Sequence, residues 1–179
     1  MKNFTRMILY AYPRLPRLIE TTDSVIREMA LRSFYDRSDG DLVAEKLLVR
    51  IQRKNALVRI KQLVESGLNT LSGTEREILA ARFSGQENGY RKNAHAFSKT
   101  TYYRRLKRGV ARLESYLYQH GAENVFRDAE LQKTAYFQFL HDHLKEMRRP
   151  LVAALAVPKP TVTERADKVI PEKAKTFRE

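Results

Sequence analysis

The chain has 179 residues, enough for one ordinary domain or two small ones and too few for a large multidomain enzyme. Lys and Arg number 34 against 21 Asp and Glu, a net charge of +13, with 42% hydrophobic and 31% charged residues. That balance is too apolar for an intrinsically disordered chain and too charged for a membrane protein, and it points to a polyanionic partner, above all nucleic acid.

Cysteine is absent, which excludes disulfides, thiolate metal sites and cysteine nucleophiles and fits a reducing, cytoplasmic setting. Strand-like alternation never lasts more than a few residues, so the chain reads as all-α. Met1 to Tyr12 carries a short apolar patch (Met7 to Tyr12) without a small-residue cleavage site and reads as mature protein rather than a signal peptide. The longest apolar run, Leu151 to Val157, is far short of the ~20 residues a membrane span needs.

The first long helix is expected from about Leu15 to Tyr35, where Leu15, Leu18, Ile19, Val25, Ile26 and Met29 recur on one face. Asp36 to Asp41, with Gly40, is turn-like. A second helix follows from about Leu42 to Ser66, with Leu47, Leu48, Ile51, Val58 and Leu63 on its apolar face. Lys46, Arg50, Arg53, Lys54 and Lys61 make its other side basic, a pattern more typical of a solvated face than of a second phosphate-contacting surface. A short loop between two amphipathic helices favours an antiparallel hairpin, and the two long apolar faces over 15–68 offer a homodimer interface.

Ser72 to Phe83 is the third expected helix. Ser72 and Glu75 form S-x-x-E, a capping box in which each residue satisfies an orphan amide of the other. Gly85 to Gly89 is a break, and Tyr90 to Phe97 is a short helix at most. Ser98 is a natural N-cap for the most basic helix of the chain, which ends near Tyr118. Between Ser98 and Arg112 there are six basic residues and no acidic one.

Periodicity shows how that helix packs and binds at once. Tyr102, Leu106, Val110, Leu113 and Leu117 form one apolar stripe. Thr100, Thr101, Arg104, Lys107 and Arg108 fall on the opposite side, Tyr103 at the border, and Arg105 and Arg112 along the other edge of the stripe. Lys99, Thr100, Thr101, Tyr103 and Arg104 in the first turns suit the base edges of a major groove, and Lys107, Arg108 and Arg112 suit phosphates.

LSGTEREILAARF (Leu71 to Phe83) followed by FSKTTYYRRLKRGVARLE (Phe97 to Glu114) resembles region 4 of sigma-70-type RNA polymerase sigma factors, and in particular the ArpU-type sigma-like regulators of phage and mobile-element gene clusters. The first-helix pattern matches at Leu71, Ser72, Glu75, Arg76, Leu79 and Phe83. The recognition-helix pattern matches at Ser98, Lys99, Thr100, Thr101, Arg104, Lys107, Arg108 and Leu113.

The resemblance covers about a quarter of the chain. It implies a helix-turn-helix on double-stranded promoter DNA, with Lys99, Thr100, Tyr103 and Arg104 as base-reading positions and RNA polymerase as a second possible partner. YRKNAHAF (Tyr90 to Phe97) replaces the family's middle-helix pattern, and the family's DNA-melting region has no counterpart.

A further helix is expected from about Glu123 to Arg148, with Phe137, Leu140, Leu144 and Met147 in step, ended by Pro150. Tyr116, Tyr118, Phe126, Tyr136, Phe137 and Phe139 read as core between it and the basic helix.

The expected organisation is a hairpin over 1–68, a helix-turn-helix over 69–120 with its recognition helix at about 98–117, a C-terminal helix over 121–150 and a disordered basic tail over 151–179. Phosphate-cradling glycine motifs are absent, His95, His120, His141 and His143 have no ligand spacing, and the acids Asp36, Asp39 and Asp41 form no catalytic pattern. The sequence therefore predicts no enzyme, no cofactor and no metal. It predicts a DNA-binding transcription regulator, with a polymerase-binding adaptor or a non-specific architectural or RNA-binding helical protein as alternatives.

Overall fold

A computed structural model describes residues 2–35, 40–83 and 97–146. The architecture is all-α. In chain order the helices are α1 (Lys2–Ala11), α2 (Leu15–Tyr35), α3 (Gly40–Asn69), α4 (Gly73–Phe83), α5 (Lys99–Gln119), α6 (Ala122–Asp128) and α7 (Ala135–Glu146). Tight 3-10 turns at Tyr12–Arg14 and Leu131–Lys133 link α1 to α2 and α6 to α7. Among the described residues no helix is long and apolar enough to cross a membrane.

The N-terminal segment is the first departure from the sequence reading, which counted it within the 1–68 hairpin but gave it no helix of its own. α1 buries Thr5, Met7, Ile8, Leu9 and Ala11 in the main core. Ten residues form too short a helix to stand alone in water. It is held by packing against α5 and α7. Pro13 and Pro16 are the second residues of the 3-10 turn and of α2, within the first turn, where a missing N–H costs nothing. Leu15, fully buried, anchors that corner.

α2 has the expected bounds, and α3 runs further than expected at both ends. The two helices pack against each other in antiparallel fashion: Lys54 of α3 bonds Asp23 of α2, and Tyr12, just before α2, lies beside Lys61 and Glu65. Gly67, expected to lie beyond the helix, is inside it. A Cβ there would stand 2.5 Å from Leu113 Cδ1 and 2.9 Å from Tyr116 Cδ1, so the bare glycine lets α5 approach α3 closely.

The core is one cluster. Leu57, Ile60, Leu63 and Val64 of α3 meet Leu113 and Leu117 of α5, Ile8 and Leu9 of α1, and Phe126, Leu131, Phe137 and Leu140 from the C-terminal part. Leu71 and Leu79 also belong to this cluster, so among the described residues the stretch 69–120 has no separate core, because α5 threads the common one.

The single helix expected from Glu123 to Arg148 is instead two helices with a turn between them. Glu130 adopts a left-handed conformation (φ 53), and the chain re-enters a helix only at Ala135. Burial explains the break. In one straight helix Leu131 would point about 140° away from Phe126, while Phe137 would nearly share its side. The turn lets all three bury together, with the rings of Phe126 and Phe137 edge-to-face at 4.9 Å.

The aromatic core is also smaller than expected. Phe126 and Phe137 are buried and Tyr116 and Tyr136 half-buried, but Tyr118 and Phe139 are 64% and 61% exposed. The expected turn at 36–39, helix at Tyr90 to Phe97, end of the last helix at 147–150 and tail over 151–179 lie outside the described residues, except Phe97, which forms a bend.

Candidate nucleic-acid interface

The site is built from the start of α4 upward. The Ser72 amide donates to Glu75 Oε2 at 3.3 Å, and the Glu75 amide donates to Ser72 Oγ at 3.4 Å, so the capping box is closed in both directions. Arg76 reaches back and donates to the carbonyls of Leu68 and Asn69 at 3.2 and 3.4 Å, capping the open end of α3. These contacts fix the corner between α3 and α4.

Glu75 does more than cap. Its side chain is buried beneath α5, and Oε2 accepts from Arg112 Nη1 at 3.0 Å. Burial opposes its charge, but hydrogen bonds from Ser72 and the Arg112 guanidinium outweigh that and hold the carboxyl below the ordinary glutamate value. Beside this contact Gly109 faces Leu79: a Cβ at Gly109 would lie 3.2 Å from Leu79 Cδ1 and 3.6 Å from Glu75 Cβ. The α4–α5 seam thus contains one ion pair and one bare glycine within a single turn of α5.

α5 begins where expected. Ser98 is in extended conformation and its Oγ accepts from the Thr101 amide at 3.3 Å. The inward stripe holds as read: Tyr102, Leu113 and Leu117 are buried, and Leu106 and Val110 pack on the core. Burial also pushes the Tyr102 hydroxyl above its ordinary pKa.

Of the eight candidate contact residues, Lys99, Thr100, Arg104, Lys107 and Arg108 are exposed, and the last four share one face. Among the described residues none of the four cations enters an ion pair. Tyr103 is 51% exposed and packs edge-to-face on Tyr102 at 5.4 Å.

The other two are placed differently. Thr101 is half-buried and tied to the cap, its hydroxyl 2.9 Å from that of Ser98. Arg112 holds Glu75. Arg105, on the same edge, lies 4.4 Å over the Phe97 ring, a cation–π contact that covers the entry to α5. Ala111 and Ser115 extend the outward face beyond Arg108, and continuing the same 100° arithmetic would have found them. Gly109 escaped because a glycine inside a helix reads as neutral until a neighbour is known.

His141 and His143 are exposed on α7, and among the described residues no group of three or more His, Asp or Glu could hold a metal ion. Compared with family models, with curated proteins and with solved structures, the chain shows no match.

Proposed function

We propose that the chain is a sequence-specific double-stranded DNA-binding transcription regulator that lays the exposed face of α5 in the major groove. One observation carries this reading. Arg104, Lys107 and Arg108, unpaired among the described residues, stand with Thr100 on the solvent side of a helix whose reverse is sealed into the core and whose start is fixed by Ser98, and Lys99 is exposed at that start.

A rigid rod with cations on one face meets the phosphates without reordering, and its first turns reach base edges. Arg104 donates to a guanine edge, Thr100 serves as a hydrogen-bonding or methyl-contacting neighbour, and Lys107 and Arg108 neutralise phosphates. The ring of Tyr103, at the edge of this face, supplies a stacking or phosphate-contacting group.

Selection of bound duplexes from a random pool tests the proposal, followed by competition of the winner against scrambled duplex. Enrichment of one motif with strong preference over scrambled DNA is expected. A ratio near one would instead leave a basic helical protein that holds nucleic acid without reading it.

A further inference from the structure

We propose that Arg105 is a positioning residue for duplex reading: through Phe97 it holds the first turn of α5, which carries Lys99 and Thr100. The inference rests on the reading of α5 as the major-groove helix. Arg105 is half-buried, and its guanidinium carbon lies 4.4 Å from the centroid of the Phe97 ring. Among the described residues it enters no ion pair.

The first turn has little else to hold it. Ser98, Lys99 and Thr100 are exposed, and the first amides of a helix have no partner within it. The Thr101 amide reaches Ser98 Oγ at 3.3 Å, just past the ~3.2 Å upper end of ordinary N–H···O bonds. Helical bonding starts where the Tyr102 amide donates to the Ser98 carbonyl at 2.9 Å, and Tyr102 is also the first buried side chain of α5. Ahead of Tyr102 the backbone therefore depends on the cap and on whatever fixes the residue before it.

Arg105 supplies that fixation from about two turns along the helix. At about 100° per residue, Ser98 and Arg105 lie within about 20° of each other. Helical side chains lean toward the N-terminus, so Arg105 reaches back along this edge to the ring of Phe97. A guanidinium over an aromatic face is attracted to it, more strongly where water is partly excluded.

The clamp leaves the reading face clear. Arg104 lies about 100° and Thr100 about 140° round the helix from Arg105. The cations divide accordingly. Arg105 and Arg112, on one edge, are engaged within the chain, by Phe97 and by Glu75, while Arg104, Lys107 and Arg108 are exposed. A base-reading side chain works only if its backbone is held to a fraction of an ångström, which a loose first turn does not provide.

Amide exchange of the free protein, read by NMR, tests the clamp. Competition of the selected duplex against scrambled DNA tests what the clamp does for reading. Arg105→Ala and Phe97→Ala are each expected to speed exchange at Thr101 and Tyr102 about threefold to tenfold and leave Leu113 and Leu117 unchanged. Each lowers the preference for the selected duplex about threefold to fivefold, with the salt slope of the parent. The double variant goes no further than either single one. Arg105→Lys, which keeps a cation for the ring, restores most of both readouts.

Exchange at Thr101 and Tyr102 equal to that of the parent in both alanine variants overturns the proposal. A salt slope lower by about one in Arg105→Ala, with Phe97→Ala like the parent, also overturns it and makes Arg105 a phosphate contact. A preference in the parent that survives both variants removes the positioning role alone. No preference in the parent itself removes the reading of α5, and the positioning role with it.

Discussion

Arg112 of α5 and Glu75 of α4 form an ion pair at 3.0 Å in which the arginine is half in solvent and the glutamate is not. The asymmetry decides what the pair does. Exposed pairs contribute little, but a buried carboxylate stripped of its partner is costly. Glu75 also closes the capping box, so one carboxylate ties the start of α4 to the middle of α5.

Arg112→Ala should therefore lower stability by about 1–2 kcal/mol in urea unfolding, because it leaves Glu75 short of a donor. It should leave the salt dependence of duplex binding close to that of the parent, since this guanidinium already has a partner. A salt slope reduced by about one would return Arg112 to the phosphate contacts.

The same carboxylate predicts a pH dependence. Its folded pKa is depressed below the unfolded value of about 4.3, so its contribution is complete above that value and is lost as pH falls through the folded one. The stability advantage of the parent over Glu75→Gln should be constant near neutrality and shrink below about pH 4.5. Parallel stability curves down to acid pH would show that Glu75 carries no such linkage.

Arg104 and Lys107 should separate reading from holding. Arg104→Ala is expected to weaken binding to the preferred duplex by about 1–3 kcal/mol and to relax preference at one position. Lys107→Ala should weaken all duplexes nearly alike and lower the salt slope by about one. Binding curves at several salt concentrations on preferred and scrambled duplex distinguish the two, and exchanged phenotypes would reverse the assignment.

The two glycines of the α5 seams predict a graded series. Gly67→Ala puts a methyl where Leu113 and Tyr116 already stand, and Leu113 is fully buried, so a cost of about 1–3 kcal/mol is expected. Gly109→Ala meets Leu79 less closely and gains helix propensity, so it should cost clearly less. Thermal unfolding of the two variants gives the order, and the reverse order would contradict the close α3–α5 approach.

α1 predicts a contrast across the molecule. Ile8→Ala should cost about 2–5 kcal/mol because Ile8 is fully enclosed by the core. Leu31→Ala, at an exposed position of α2, should stay within about 0.5 kcal/mol. Similar losses at both positions would mean that α1 is peripheral.

Legibility in the sequence followed how local each signal was. The capping box at Ser72 and Glu75, the cap at Ser98 and the stripe from Tyr102 to Leu117 depend on neighbours within two turns, and all three stand as read. α1 was missed because its helix exists only by packing. The turn at Glu130 was missed because the spacing of Phe137, Leu140 and Leu144 is helical on both sides of it, and only the burial of Leu131 with Phe126 demands a bend. Tyr118 and Phe139 were placed in the core because an aromatic residue looks the same in sequence whether or not another helix covers it.

By itself the sequence determined the helical class, the start of α4 and α5 and the basic character of one side of α5, because these follow from periodicity, capping chemistry and charge count. Only the tertiary structure decided that Arg112 serves Glu75, that Gly67 and Gly109 are points of helix contact, and that, among the described residues, half of the hairpin stands outside the core. Those are relations between residues far apart in the chain, and no local pattern encodes which distant side chain will occupy the other half of a contact.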